Sequence, residues 1–170
     1  MGLDMYLTRK IYFGGEYEHN NISFGNLKEN EEKLTIKQEL INYQAKEVVK
    51  TKTISLSTKD ISKIESIIGY WRKANAIHKW FVDNIQDGND DCNEYIVPKS
   101  LLTQRLYTVV RDVLKNREMA ETILPTTGGF FFGSTNYDYY YFNDLEYTKS
   151  VLEKIMQDKD CLYYYYQSSW

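Results

Sequence analysis

The stretch Tyr70–Val82, with the sequence YWRKANAIHKWFV, decides the predicted fold of this chain. It contains two of the three tryptophans, one of the two histidines and three Lys/Arg side chains. We predict that it begins a helix that runs to about Gln86 and ends at Asp87-Gly88. A glycine just after the last periodic residue commonly ends a helix.

This helix would carry aromatic side chains on two faces. At about 100° per residue, one face holds Trp71, Ala74, Asn75, His78, Phe81, Val82 and Ile85. Lys79, Asp83 and Arg72 lie opposite, and Trp80 and Lys73 form a third face. One aromatic face would pack on the core. The other would contact a second layer, a partner subunit or a ligand.

Length and composition predict a single domain that spans all 170 residues. Hydrophobic residues make up 42% of the chain and aromatic residues 15%, with sixteen tyrosines. Tyrosine is enriched at interfaces and ligand surfaces because its ring buries area while its hydroxyl still forms hydrogen bonds. The alternative is an ordinary core in a tyrosine-rich chain.

Charge and cysteine usage exclude several classes of function. With a net charge of −3, the chain as a whole lacks the basic surface that duplex DNA requires, and a local basic patch is the alternative. We expect neither a signal peptide nor a membrane span, and we expect Cys92 and Cys161 to be reduced thiols in a cytoplasmic protein. The acidic loop from Asp87 to Glu94 lacks the glycine and glutamate of a calcium loop, and the histidines lack zinc-finger spacing. No metal or cofactor is predicted.

The elements predicted along the chain are mixed in order. Alternating apolar residues predict strands at 3–12 and 47–57; residues 33–43 and 61–70 suit a strand or a helix, and we favour a strand for 33–43. Residues 14–47 suggest a variable arm or insertion. Later elements are a strand at 95–97, a helix opened by Pro98, and further helical turns at 117–124. A long helix follows, capped by Asp138 or Asn136; it runs to Gln157 and has Met156 among its inward residues. The last element is a strand at 161–167. This order predicts an α+β domain.

A glycine-rich segment, TTGGFFFGST at 126–135, places three phenylalanines between glycines and hydroxyl side chains. Glycine lets a backbone approach a ligand closely, and hydroxyl groups can hold an oxyanion. The lysine of a P-loop is absent. The alternative is a buried strand at 129–132 with a tight turn at each end.

Four motifs together resemble a family of small proteins from bacteriophages and mobile elements. They are MGLDMYL at 1–7, YWRKANAIHKWFV at 70–82, GFFFGSTNYD at 129–138 and YYQSSW at 165–170. The resemblance implies action in a host bacterial cytoplasm and antagonism of host defence. It implies no catalytic residues.

The first functional hypothesis is a protein that binds a small anionic, nucleotide-like ligand. Its candidate ligand-binding residues are Tyr70, Trp71, Arg72, Lys73, His78, Trp80, Phe131, Ser134 and Thr135. Aromatic rings would stack on a base, cationic side chains would neutralise phosphate, and hydroxyl groups would donate hydrogen bonds. The alternatives are that Trp71 and His78 are core residues and that Arg72 and Lys73 form a solvated face.

Two other hypotheses remain open. Exposed aromatics (Trp80, Tyr163–Tyr166 and Trp170) would anchor a host defence protein or a second copy of the chain in a homo-oligomer. His78, paired with Asp83 or Asp138, would act as the acid or base of a hydrolase. Since Gly133-Ser134-Thr135 does not match a nucleophile elbow, we favour a non-enzymatic binding protein.

Overall fold

The computed structural model of the chain describes residues 2–12, 33–42, 47–57 and 63–170. The chain forms two compact units. The first contains Met1–Lys10 and Glu65–Trp170, and the second contains Ile11–Ile64.

A four-stranded sheet organises the first unit. Its strands are β1 (Asp4–Tyr12), β4 (Lys63–Arg72), β5 (Tyr95–Pro98) and β6 (Tyr163–Ser169), in the order β4-β1-β6-β5. Both β1 and β5 run antiparallel to β6, so that Leu7 and Tyr95 both lie opposite Tyr166.

The helices of the first unit are α1 (Asn75–Ile85), α2 (Tyr107–Lys115), α3 (Ala120–Ile123) and α4 (Tyr139–Gln157). A π-helical segment, Leu101–Leu106, continues directly into α2, and a 3₁₀ turn, Arg117–Met119, precedes α3. The α+β prediction is confirmed, as are the strand at the N-terminus and the helical turns after Asn116.

The described residues of the second unit include a two-stranded antiparallel sheet of β2 (Lys33–Asn42) and β3 (Glu47–Ser57). Its register shifts between Leu40 and Ile41. Both strands agree with the alternation of apolar residues in the sequence. The rest of the predicted variable arm lies outside the described residues.

The core forms on one face of the large sheet. Leu3, Met5 and Leu7 are fully buried, as expected when alternate residues of a strand point to the same side. The Tyr166 ring on β6 stacks on Phe81 of α1 with centroids 3.9 Å apart. These contacts fix α1 against the centre of the sheet.

The helix predicted from Tyr70 begins five residues later, at Asn75. Residues 70–72 instead form the end of β4. There Gly69 and Trp71 are buried, whereas Tyr70 and Arg72 are exposed. Lys73 then turns the chain in a left-handed conformation, with φ 61°. The period-two burial of β4 therefore overrides the helical period that the same residues also fit.

Three further predictions are corrected in the second half of the chain. Pro98 itself ends β5, so the helix that it was predicted to open begins one residue later, at Lys99. Residues 129–132 form a turn, closed by the Phe132 N–H donating to the Gly129 carbonyl at 3.1 Å, and Phe130 is 96% exposed. Met156 is exposed instead of inward-facing. The predicted cap of α4 is confirmed, because Asp138 accepts hydrogen bonds from Tyr140 N and Tyr141 N.

Candidate ligand-binding cavity

A cavity of about 270 Å³ opens where the end of β4 meets α1 and α4. Its residues come from the β4–α1 junction, from the segment before α4 and from the first two turns of α4. They are Arg72, Lys73, Ala74, Asn75, Ala76, Ile77, Thr126, Gly133, Ser134, Asn136, Asp138, Tyr140, Tyr141, Asp144 and Leu145. The volume is close to the lower end of small-ligand sites.

Lys73 shapes the junction wall. Its N–H donates to the Leu3 carbonyl at 2.7 Å and its carbonyl accepts from Asn75 N at 2.9 Å. Its aliphatic stem passes two glycines, because a Cβ at Gly133 would lie 3.1 Å from Lys73 Cβ and one at Gly2 would lie 3.2 Å from Lys73 Cε. Gly133 also has a φ of +84°, which favours glycine.

Asn75 connects α1 to the glycine-rich segment. Its buried side-chain amide donates to the carbonyls of Phe132 at 3.0 Å and Ser134 at 2.8 Å, and its Oδ1 accepts from Thr127 N at 3.2 Å. One side chain thus positions two sides of the cavity.

The N-terminus of α1 faces this cavity without a side-chain cap. Its N-cap residue is Ala74, and the N–H groups of Ala76 and Ile77 find no acceptor among the described residues. Both residues are buried and line the cavity. Unpaired N–H groups at a helix start favour an anion.

Arg72 and Lys73 add positive charge to the same wall. Within the described part of the chain, neither side chain forms an ion pair. Ser134 and Asn136 supply polar groups nearby, with Asn136 N donating to Ser134 Oγ at 3.1 Å. This wall therefore suits a negatively charged group.

The α4 wall has the opposite polarity. Asp138 is engaged as the helix cap, with its Oδ1 accepting from Tyr140 N at 2.9 Å. Asp144 lies in the next turn and is half-buried. Its backbone carbonyl accepts a hydrogen bond from Thr148 Oγ1 at 2.6 Å, but its carboxylate accepts none from the described residues. Burial, followed by the nearby Asp138 charge, raises the pKa of Asp144 to about 6.

The raised pKa of Asp144 predicts a pH-dependent cost to stability. The folded chain binds this proton more tightly than the unfolded chain. The free energy of unfolding therefore falls as the pH rises from about 4 to about 6. We expect Asp144→Asn to stabilise the protein by about 1 kcal/mol at pH 8, a figure reduced for solvent screening. We expect the difference to vanish below about pH 4, where the aspartate is protonated in both states. Urea unfolding at the two pH values measures it.

The exposed Asp160 provides the control for this prediction. Asp160→Asn should change the free energy of unfolding by less than about 0.5 kcal/mol at either pH. An Asp144→Asn variant that is less stable than the parent at pH 8 would contradict the prediction, because it would show that the carboxylate has a stabilising partner.

Of the nine residues predicted to bind a ligand, Arg72, Lys73 and Ser134 line the cavity. The two indoles do not. Trp71 is 3% exposed and its Nε1 donates to Thr148 Oγ1 at 2.8 Å, while Trp80 is 7% exposed. Both tryptophans are core residues. For Trp71, a place in the core was the alternative to the ligand-binding role.

His78 is completely buried, and both of its ring nitrogens are engaged. Nδ1 lies 2.7 Å from the Tyr166 hydroxyl and Nε2 lies 3.1 Å from Asp90 Oδ1. The predicted partners were wrong, since Asp83 binds Lys79 at 2.7 Å and Asp138 caps α4. A sealed imidazole cannot reach a substrate, so the geometry removes the basis for the hydrolase hypothesis.

The remaining three predicted residues lie outside the cavity wall. Tyr70 is exposed, and its hydroxyl donates to Asp4 Oδ1. Phe131 and Thr135 contribute backbone carbonyls, which accept from Leu3 N and from Thr126 Oγ1, each at 3.0 Å. Glycine and hydroxyl content near 130 indicated the correct segment but not the side chains that face the cavity.

Several wall residues were not predicted from the sequence. They are Thr126, Asn136, Asp138, Tyr140 and Asp144 as cavity groups, and Asn75 as the residue that positions the wall. A detectable signal existed for Asn75. It is a polar amide on the apolar face predicted for the helix, and a buried amide requires hydrogen-bond partners.

The aromatics predicted to be exposed are mostly buried. Trp80, Tyr164, Tyr165 and Tyr166 are core residues, whereas Trp170 is 43% exposed. Other large apolar or aromatic side chains are exposed instead, among them Phe130, Tyr139, Tyr140 and Leu162.

Comparison of the chain with protein-family models, with curated proteins and with solved structures gives no match. In the described ranges, the helices are all too short or too polar to cross a membrane.

Proposed function

We propose that this chain binds a small anionic, nucleotide-like ligand in the cavity at the β4–α1 junction. Sequestering such a ligand or signal in the host bacterial cytoplasm would antagonise host defence, the setting suggested by the resemblance to phage proteins. The observation that supports binding most strongly is the uncapped start of α1 on one cavity wall. It lies beside Arg72 and Lys73, which form no ion pair with the residues that the structure describes.

The parts of this wall complement an anion in different ways. The N–H groups of Ala76 and Ile77 are fixed by the helix, so they need no reordering on binding. Arg72 presents a planar fork that can hold two phosphate oxygens, and Lys73 adds a compact charge. Since Asn75 fixes the facing segment, the site is largely formed before a ligand arrives.

Replacing Arg72 tests the proposal. Nucleotides at increasing concentration should raise the Tm of the parent chain by mass action. We expect Arg72→Ala to weaken binding by about 10- to 100-fold, because a hydrogen bond to a charged group contributes roughly 1.5–3 kcal/mol. Calorimetric titration with a panel of mononucleotides and cyclic nucleotides measures the affinity.

Arg105→Ala is the matched control, because Arg105 is an exposed arginine that does not line the cavity. It should bind as tightly as the parent. The proposal fails if no nucleotide changes the Tm, or if the two arginine variants bind equally well.

A second candidate function is inhibition of a host protein by surface contact. The observation that favours it is Phe130, which projects from the glycine-rich turn almost fully exposed and lies outside the cavity wall. Exposed aromatics are frequent interface hot spots. Under this alternative, Phe130→Ala would release a co-purifying host protein, or dissociate a homo-oligomer, without changing nucleotide affinity.

A further inference from the structure

We propose that the ligand is a guanine nucleotide, with its base edge held by the Asp144 carboxylate and its ring stacked on Tyr140. This inference rests on the proposed function, because it assigns the base of the ligand whose phosphate binds at Arg72 and Lys73.

The two walls of the cavity differ in charge, so they complement a ligand whose two ends differ chemically. The β4–α1 wall offers Arg72, Lys73 and helix N–H groups that no described residue accepts from, whereas the α4 wall offers the Asp144 carboxylate. Inorganic phosphate or a polyphosphate would satisfy the first wall and leave a carboxylate facing more negative charge. A ligand that complements both walls carries hydrogen-bond donors at the end away from its phosphate.

Tyr140 and Asp144 lie one helical turn apart on α4, at positions i and i+4, where side chains share a face. Tyr140 is 74% exposed and borders the cavity, and its ring meets the neighbouring Tyr139 ring at a steep angle, with centroids 5.7 Å apart. This exposure leaves the ring accessible to a stacked base. An aromatic base on this ring would direct its edge along the helix toward the half-buried Asp144. Stacking on an aromatic side chain is worth roughly 1–3 kcal/mol per base.

A carboxylate distinguishes bases by their donors. Guanine presents N1–H and its 2-amino group side by side, and the two oxygens of an ionised carboxylate accept both. Adenine presents the N6 amino group beside N1, whose lone pair would face a carboxylate oxygen. Hypoxanthine keeps N1–H and lacks the 2-amino group. A polar site left unpaired by the wrong ligand rejects it strongly.

The state of Asp144 supports this assignment. At neutral pH the ionised carboxylate is kept half-buried and without a hydrogen-bond donor among the described residues, at a cost to stability. Perturbed groups of this kind cluster in functional sites, where stability is exchanged for binding. Burial and a second carboxylate, Asp138, both raise its pKa. Hydrogen bonds donated by a ligand to the ionised carboxylate would offset part of this cost.

The test is calorimetric titration of the full chain at pH 7.5 with GMP, IMP, AMP and pyrophosphate. We expect GMP to bind about tenfold more tightly than IMP and at least about 100-fold more tightly than AMP. We expect Asp144→Asn to weaken GMP binding by about tenfold or more and to bring the GMP and AMP affinities within about threefold of each other. Pyrophosphate should bind to this variant at least as tightly as to the parent chain, because the variant removes a carboxylate that faces the charge of the ligand. Tyr140→Phe should keep the GMP affinity, and Tyr140→Ala should lower it at least fivefold.

The outcomes separate this inference from the proposed function. If AMP binds as tightly as GMP to the parent chain, and Arg72→Ala weakens both, the guanine assignment is overturned and anion binding stands. If GMP does not bind but another nucleotide of the panel does, only the guanine assignment is overturned; if no nucleotide binds, both proposals are overturned. If Asp144→Asn leaves the preference for GMP intact, Asp144 does not contact the base.

Discussion

Replacing Asn75 with Ala should lower the free energy of unfolding by about 3 kcal/mol, at roughly 1 kcal/mol for each lost hydrogen bond. The side chain makes three such bonds, to the backbone of Phe132, Ser134 and Thr127. No other single side chain joins the start of α1 to the glycine-rich segment in this way among the residues described. Asn75→Asp should be at least as damaging, because carboxylate oxygens would replace the donor that faces two carbonyl oxygens.

Urea unfolding, monitored by circular dichroism, measures this loss. An unchanged dependence of the unfolding free energy on urea concentration would show that the unfolded state is the same. Asn84→Ala is the control, because the exposed Asn84 makes one local bond, donating to the Trp80 carbonyl at 2.8 Å. It should cost less than about 1 kcal/mol. An Asn75→Ala variant as stable as the Asn84 control would show that the segment is held by other contacts.

Trp71→Ala is expected to destabilise the chain by about 3–5 kcal/mol, the usual cost of truncating a buried tryptophan. The indole contacts the ring of Tyr147 edge-on at 5.8 Å and donates from Nε1 to Thr148. Gly69 leaves the space that the indole occupies, because a Cβ there would lie 2.5 Å from Trp71 Cη2. Little of this volume can be refilled by rotation of neighbouring side chains.

Thermal and urea unfolding test the role of Trp71, with Trp170→Ala as the control. Trp170 is partly exposed and donates from its indole to Asp90 at 3.2 Å, so its loss should cost about 1 kcal/mol or less. The milder Trp71→Phe variant should be less stable than the parent yet bind nucleotide with the parent affinity. A stable Trp71→Ala variant that has lost nucleotide binding would contradict the core role and return the indole to the binding site.

Much of the fold could be predicted because local rules control it. Alternation of apolar residues identified β1, β2 and β3, and a run of tyrosines near the C-terminus identified β6. Asp138 was recognisable as the cap of α4 because an aspartate before a long periodic stretch satisfies the first N–H groups of a helix. Each of these features depends on residues close together in the chain.

The junction between β4 and α1 was harder to predict because two periods compete there. Residues 70–74 fit a helical face, and they also fit the alternation of a strand whose inward positions are Gly69 and Trp71. The sheet decides between the two, since the Lys73 N–H pairs with Leu3 at the far end of the sequence. Local pattern alone gives equal support to either outcome.

The sequence by itself determined the α+β class, most of the strands, the capped final helix, and the importance of the 70–82 and 126–135 segments. Only the tertiary structure decided which of their side chains face a common space. Asn75 bonds to residues 52 to 59 positions away, and His78 is closed by Tyr166, 88 positions away. Burial and hydrogen-bond partners of this kind arise when distant segments pack together. For this reason the tryptophans and His78 became core residues, while Arg72, Lys73, Ser134 and the unpredicted Asp144 came to line one cavity.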